Sequence, residues 1–425
     1  MQDPDQPGAV RGAEIGGGEH RRITHRHPSL RSRHCPDALD TIPSSSAAPI
    51  SARSRTGLAM RPVWTKADLV CSVLQHILQL EYRGVLHMGA PQIAIIGGGI
   101  RGRIFAETTH HHPSAELVAI CEPNPARAAQ LGGELGVPTF ESIDALLDSG
   151  AELDAVVVAT PDFAHEGPAV AALEAGVDLL VEKPLATTSE EAQRIIAAAE
   201  RGGGRIVVGF ENRWNPLFRT VREQLRESGN ALVSQRALLQ DTIHVPTEML
   251  GWAALSSPAW FLMPHSLDMA TWLSGAEPVE VYARGVRRVL PALGVDTWDR
   301  ISASFAMSDG SILDLDSGWV QPLGKPSVFE FRFEIETTQE AFVLDIDASG
   351  ARRTTSERTT TVGSPSHDHR GRPVGVAADM MRDFLDAVGG ADLDLPGAAH
   401  GLLITRAIEA VHRSLETGAV QPITS

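Results

Sequence analysis

The chain carries little that would tie it to a membrane, a metal or a nucleic acid. No run approaches 18 consecutive apolar residues, so no transmembrane helix is expected. Nor does the N-terminus hold the 7–15-residue apolar core of a secretory signal. There are three cysteines, Cys35, Cys71 and Cys121, far apart and without metal-ligand spacing. An odd, sparse count excludes a disulfide framework and fits a reducing cytoplasm, with Cys121 read as a strand core residue and no metal site expected. Basic charge is also short. The formal net charge is −16 and no basic stripe breaks it, which argues against a nucleic-acid partner.

Large apolar residues are scarce over residues 1 to about 60, which are rich in Arg, Pro, Ser and Gly. Such a segment cannot bury enough surface to fold alone. Arg21, Arg22, Arg26, Arg31 and Arg33 would suit a transit peptide. The plainer reading is a disordered or non-native leader over residues 1–88, with Met88 just before the first strand. Residues 67–80 have helical spacing of apolar positions but suggest no chemistry.

What is present is ample core material: 425 residues, 43% of them hydrophobic, enough for two or three domains. From residue 92 to about 210, strands at 92–96, 116–121, 154–159, 177–182 and 205–210 alternate with helices such as Pro125–Leu135, Phe163–Ala175 and Ser189–Arg201. Several strands are continuous Val/Ile/Leu runs, the signature of parallel strands buried on both faces. The alternation predicts right-handed βαβ units in a doubly wound sheet, the α/β class. After residue 212 the texture changes to a helix at Pro216–Glu227, a strand near Ala231–Gln240 and a helix at His265–Leu273. Period-two segments follow at Val279–Val286, Asp299–Met307, Ser311–Ser317, Phe329–Thr337 and Glu340–Asp347. They predict a large open, mostly antiparallel sheet, with Asp309-Gly310 at a hairpin. Residues 349–372 read as a loop, and helices near Ala377–Val388 and His400–Glu416 close the chain. The domains expected are therefore 89–211, a Rossmann nucleotide-binding unit, and 212–425, an α+β unit for substrate and for association.

The most informative stretch is Ile93-Ala-Ile-Ile-Gly97-Gly98-Gly99-Ile100-Arg101-Gly102. An apolar strand ends in G-x-G-x-x-G, and an amphipathic segment from Ile104 to His111 follows. That context turns a weak glycine pattern into a dinucleotide site. Gly97 allows the tight turn, Gly99 lets the backbone approach a pyrophosphate, and Gly102 lets helix and strand pack. The helix N-terminus offers free N–H groups to the phosphates. The second strand ends at Glu122, about 20 residues on. A carboxylate there accepts both ribose hydroxyls and repels a 2′-phosphate. That favours NAD, with NADP as the alternative because Arg127 lies nearby.

The chain resembles the Gfo/Idh/MocA oxidoreductases over roughly residues 91–420. The marks are Gly97–Gly102, Ala159-Thr160-Pro161 with His165, Glu182-Lys183-Pro184, Gly209-Phe210 with Arg213 and Pro216, and His265 with Asp268. The resemblance implies cofactor contacts from Gly97, Gly99, Ile100, Arg101, Gly102, Glu122, Thr160, Pro161, His165, Glu182 and Lys183. It implies substrate contacts from Lys183, Arg213, His265 and Asp268, with Lys183 and His265 catalytic. The reaction it implies is hydride transfer between NAD(P) and a secondary alcohol or carbonyl of a sugar, inositol or similar polyol. A homodimer or homotetramer through the C-terminal sheet is implied as well. One departure stands out. Most active members carry Asp four residues before this His, in D-x-G-x-H; here Phe261 and Met263 occupy the Asp and Gly positions, and the loop from Trp252 to His265 is short. Three outcomes stay open: an enzyme working with Lys183 and His265, with Asp241 or His244 contributing; a nucleotide-binding sensor; and NAD-dependent glycoside cleavage.

Overall fold

The computed structural model describes residues 89–346, 351–356, 359–362 and 366–424. The leader and the helix read at 67–80 lie outside the described residues. The first sheet is built from β1 (Gln92–Ile96), β2 (Glu116–Cys121), β3 (Thr139–Phe140), β4 (Ala155–Val158), β5 (Asp178–Glu182) and β6 (Ile206–Gly209). All six are parallel, in the order β3-β2-β1-β4-β5-β6. The helices between them are α1 (Ile100–His110), α2 (Pro125–Leu135), α3 (Ile143–Asp148), α4 (Glu166–Glu174) and α5 (Ser189–Gly202). Strand order reverses beside β1, between β2 and β4. Ligands of open α/β sheets bind at such a switch point, outside the carboxyl ends of the strands.

Local chemistry sets the helix limits. Asn124 accepts from the Ala126 and Arg127 amides ahead of Pro125, and Gly136 ends α2 in the left-handed region at φ 70°. Thr188 and Glu191 form a reciprocal capping box at the start of α5. Sequence periodicity overlooked β3 and α3, which are only two and six residues long.

The chain continues through α6 (Pro216–Ser228), β7 (Leu232–Thr242), α7 (Pro258–Phe261), α8 (Met263–Ser274), β8 (Pro278–Val286), α9 (Val289–Ala292), β9 (Arg300–Met307), β10 (Ile312–Gln321), β11 (Phe329–Thr337), β12 (Ala341–Asp345), β13 (Ala351–Thr354), β14 (Thr359–Val362), α10 (Val376–Val388), α11 (Ala398–Thr417) and β15 (Gln421–Pro422). The second sheet runs β12-β11-β7-β10-β9-β8-β15. Its pairings are antiparallel except β7 with β10, which are parallel. The expectation of an open, mostly antiparallel sheet holds. The loop expected over 349–372 needs correction, because β13 and β14 pair there as a small ribbon. Thr-Thr-Thr-Val at 359–362 is β-prone, but its polarity hid the strand.

One face of the second sheet is covered by helices, and its core includes Trp319, Phe305, Phe333 and Leu267. The last two helices reach back to the first sheet. The Val208 amide donates to Pro396 O at 2.8 Å, Ser189 N donates to Glu409 Oε1 at 2.9 Å, and Trp214 Nε1 donates to Asp383 Oδ2 at 2.7 Å. Among the described residues no helix is long and apolar enough to cross a membrane.

The tightest constraint is at the first turn. A Cβ at Gly102 would stand 1.7 Å from Gly97 O. Gly102→Ala is therefore expected to push α1 off β1 and to destabilise the protein by at least about 1–3 kcal/mol, the usual cost of overpacking. A chemical-denaturation midpoint equal to wild type would show that the turn relaxes without cost.

Candidate active site

The glycine turn divides its labour. Gly97 has φ +98°, and a Cβ there would meet Ala159 O at 2.7 Å. Only glycine suits that position. Gly99 is the N-cap of α1, with an ordinary φ of −69°, and a Cβ there meets nothing within 4 Å. Ile100 beside it is exposed. The backbone of this turn is thus open to an approaching group, at the positive end of an 11-residue helix.

Glu122 closes β2 and is 5% exposed. Its Oε2 accepts from the Gly98 amide at 2.8 Å, and its Oε1 from the Asn124 amide at 2.9 Å. Arg127 Nη1 donates to Oε2 at 3.2 Å, so the cation nearest this carboxylate is already paired with it. This donor set fits a dinucleotide: an open glycine turn for the pyrophosphate and a fixed carboxylate 24 residues on from Gly98.

The carboxyl ends of β4 and β5 form the floor. Thr160 Oγ1 donates to Ala164 O at 3.0 Å. His165 is 1% exposed, and both its ring nitrogens meet backbone carbonyls, Pro184 O at 2.8 Å and Thr160 O at 3.1 Å. It ties the two strand ends together, so its influence on a cofactor passes through those carbonyls. Pro161 leads into a single 3-10 turn, Asp162–Ala164. Asp162 Oδ2 accepts from Ser256 Oγ at 2.5 Å, linking that turn to the second half of the chain.

Lys183 follows β5 and is 8% exposed. Its Nζ donates to Phe261 O at 2.7 Å and lies 4.5 Å from the centroid of the Phe261 ring. Burial pushes the ammonium pKa down, while Glu182, Glu211 and Asp162 pull against that fall. Glu182 Oε1 accepts from Arg101 Nε at 2.7 Å, and Arg101 Nη2 lies 3.3 Å from Glu211 Oε2. Burial opposes the Arg101 charge, but the two glutamates overcome it and raise its pKa. His265, on α8, sits with Nδ1 3.4 Å from Glu211 Oε1 and 3.4 Å from Asn212 Nδ2. Burial, with the Lys183 and Arg101 cations, holds His265 well below its ordinary range. The imidazole is neutral at physiological pH.

Of the residues singled out in the sequence, Arg101, Glu182, Lys183 and His265 come together here. Arg213 and Asp268 join each other instead. Arg213 donates to Asp268 Oδ1 at 2.6 Å and 3.0 Å, and His400 Nε2 meets the same oxygen at 2.7 Å. With Asp268 1% exposed, its carboxylate is spent on internal partners. The side chains beside His265 Nδ1 are the Asn212 amide, its hydrogen-bond partner, and the Glu211 carboxylate, while Asp268 is bonded to Arg213 and His400. Sequence reasoning missed Glu211, Asn212 and Asp162, although each lies inside or beside a motif already marked. His244 is exposed, whereas Asp241 is 6% exposed; burial, against Lys183 and Trp319, lifts its carboxyl to about 7. No group of three or more His, Cys, Asp or Glu among the described residues is arranged to hold a metal.

Comparison with known proteins matches this architecture. The model of an oxidoreductase family with an NAD-binding Rossmann fold, Gfo/Idh/MocA, covers residues 92–210. The model of the Gfo/Idh/MocA C-terminal domain covers residues 238–343. UDP-N-acetylglucosamine 3-dehydrogenase of Acidithiobacillus ferrooxidans is 30% identical over 247 residues, 58% of this chain and 72% of its own. Inositol 2-dehydrogenase of Rubrobacter xylanophilus is 28% identical over 55% of this chain and 66% of its own. The crystal structure of scyllo-inositol dehydrogenase from Lactobacillus casei with bound NAD(H) and scyllo-inositol superposes with a TM-score of 0.68. At 21% identity, over 79% of this chain and all of that one, it shows a shared fold.

Two measurements test the nucleotide end. Gly99→Val places a branched side chain in the open turn, so it should abolish NAD binding in a fluorescence titration while the melting temperature stays close to wild type. Unchanged NAD affinity would move the pyrophosphate elsewhere. NAD should also bind more tightly than NADP by roughly 1–3 kcal/mol, through repulsion of the 2′-phosphate by buried Glu122. Equal affinities would mean that Arg127 dominates.

Proposed function

Because the chain belongs to the Gfo/Idh/MocA family of oxidoreductases, we propose that it is an NAD-dependent dehydrogenase acting on a secondary alcohol or carbonyl of a sugar, inositol or similar polyhydroxylated small molecule. The observation that carries this reading is the desolvated Lys183 ammonium at the carboxyl end of β5, held by Phe261 O, with neutral His265 nearby and 3.4 Å from Glu211 of the Arg101–Glu211 pair. The named relatives act on an amino-sugar nucleotide and on inositol, which supports the substrate class.

NAD, when bound, supplies the hydride acceptor. It would be held by the Gly97–Gly102 turn, by Glu122 and by the ends of β4 and β5. The chain's own part is binding and proton handling. The Lys183 Nζ, fixed by the Phe261 carbonyl and ring, presents its remaining N–H groups to the substrate oxygen. A cation there lowers the pKa of that hydroxyl as charge develops. His265 Nδ1 is taken up beside Asn212 and Glu211, so Nε2 is the ring nitrogen that exchanges the proton with the substrate oxygen. Glu211 then stabilises the imidazolium. In the reduction direction the same proton returns from Nε2 to the carbonyl oxygen.

The same reading assigns residues 89–211 to the nucleotide and 212–425 to the substrate, with the outer face of the seven-stranded sheet as the surface joining copies into a homodimer or homotetramer.

Purified protein should reduce NAD in the presence of at least one member of a panel of polyols, inositols and sugar acids, read by absorbance of the reduced nicotinamide. Lys183→Ala and His265→Ala should each lower kcat by about 10²–10⁴-fold, the usual worth of acid–base help, with NAD affinity little changed. Intact NAD binding with no turnover across the panel would leave a nucleotide-binding sensor as the function.

A further inference from the structure

Arg101 stands where a cation is out of place. It is the second residue of α1, where the helix dipole disfavours positive charge and no acid shares the first turn. A phosphate in the glycine turn would offset that cost, yet the guanidinium is already engaged inside the protein. Its Nε donates to Glu182 Oε1 at 2.7 Å, and its Cζ lies 5.5 Å from the ring centroid of Phe105, one turn further on. Its Nη2 lies 3.3 Å from Glu211 Oε2, a charge contact without hydrogen-bond alignment, and both atoms are buried with no hydrogen bond of their own. The planar fork of arginine lets one side chain serve two carboxylates at once.

Those two carboxylates lead to the two proton-handling residues. Glu182 precedes Lys183 in the chain, and its Oε2 accepts from the Lys183 amide at 3.2 Å. Glu211 is 8% exposed, and its Oε1 lies 3.4 Å from His265 Nδ1. Arg101 therefore adjoins one oxygen of Glu211 and His265 the other. A buried carboxylate with only an imidazole beside it would favour the protonated ring and form an ion pair with it. A guanidinium on the far oxygen takes up that charge. The other charged groups around His265 are Lys183 and Glu182 from the end of β5 and Asp268 on its own helix. Asp268 is bonded to Arg213 and His400, which leaves Glu211 as the acid adjoining the ring. Lys183 and Arg101 both favour the neutral imidazole, against Glu182 and Asp268.

We propose that Arg101 is a positioning residue of the dehydrogenase site: by pairing with Glu211 it lets that carboxylate seat the His265 ring without converting it into an ion pair, so that Nε2 stays free to take the substrate's proton. The proposal rests on the dehydrogenase reading above. It gives the Arg101 side chain to the substrate end and leaves the backbone of the glycine turn for the pyrophosphate. The helix that opens on the cofactor turn thereby also sets the charge state of the acid–base residue on α8.

The test compares wild type with Arg101→Gln, Arg101→Lys, Glu211→Gln and the double variant Arg101→Gln/Glu211→Gln. Three quantities are read: NAD affinity by fluorescence, the pH dependence of kcat/KM on the best polyol of the panel, and the protonation midpoint of His265. The midpoint comes from NMR of protein labelled with 15N-histidine, its signal assigned by its loss in His265→Gln. Arg101→Gln should lower kcat/KM near neutral pH by at least about tenfold and move both the acid limb and the His265 midpoint up by about one pH unit, because the freed carboxylate favours the charged ring. Arg101→Lys keeps the charge, so the limb should stay near wild type, with kcat reduced only several-fold because an ammonium reaches one carboxylate at a time. In the Glu211→Gln background, Arg101→Gln should change kcat/KM by less than about threefold, the non-additivity of residues that act through one another. That background leaves no stranded Glu211 charge, so it supplies the comparison should Arg101→Gln alone fail to fold. Weakened NAD binding with an unmoved His265 midpoint would make Arg101 a cofactor contact and overturn the proposal, as would an equal loss with and without Glu211. Intact NAD binding with no polyol used by wild type would overturn the dehydrogenase reading, while the NMR midpoints would still decide the link from Arg101 through Glu211 to His265.

Discussion

A set of charges buried at the carboxyl edge of the first sheet constrains everything around it. Arg101, Glu182, Glu211 and Lys183 all sit within the mouth of the fold, and none can be left unbalanced in so little water. They come from three parts of the chain: Arg101 from the start of α1, Glu182 and Lys183 from the end of β5 and the residue after it, and Glu211 from the turn after β6. Their mutual neutralisation holds the glycine turn, the two central strands and the entry to the second half in one arrangement. His265 joins from α8 through Glu211, so the second half is tied to the same electrostatic knot. Pairs of this kind add little net stability, but removing one partner strands the others, so they specify position more than they contribute free energy.

Much of this was legible in the sequence, and for physical reasons. β1, β2 and α2 were placed to the residue because each has a strong local signal: continuous apolar runs bounded by Gly97 and Glu122, and Asn124-Pro125 opening α2 before Gly136. Gly97, Gly99 and Gly102 could be assigned separate duties because backbone sterics follow from spacing alone. The β13–β14 ribbon was hidden because polar threonines mark a loop and a strand equally well. The partnership of Asp268 with Arg213 and His400 was not legible at all. His400 is 132 residues away, and no periodicity encodes a meeting at that distance.

The proton-handling end shows a subtler limit. The resemblance gives His265 and Asp268 to the substrate together, and residues three apart on a helix share a face. Face-sharing places the two side chains side by side without saying which neighbour each turns toward. The structure gives His265 the carboxylate of Glu211 and gives Asp268 a guanidinium. The sequence offers Asp241 only as a residue contributing beside Lys183 and His265, just past the strand expected near Ala231–Gln240. It lies instead at the end of an 11-residue strand, and its burial follows from strand pairing on both sides, with β10 and β11.

Glu122 performs two tasks with one carboxylate. The oxygen that holds Arg127 also accepts the Gly98 amide, so the group proposed to read the ribose also fastens the middle of the glycine turn. Cofactor choice and loop order are therefore a single trait in this protein. An engineer who exchanges the acid for a smaller or basic residue to admit the phosphorylated cofactor also frees a backbone donor at the floor of the site. Preference can be rewritten without a loss of overall affinity only if a second change gives Gly98 a new acceptor.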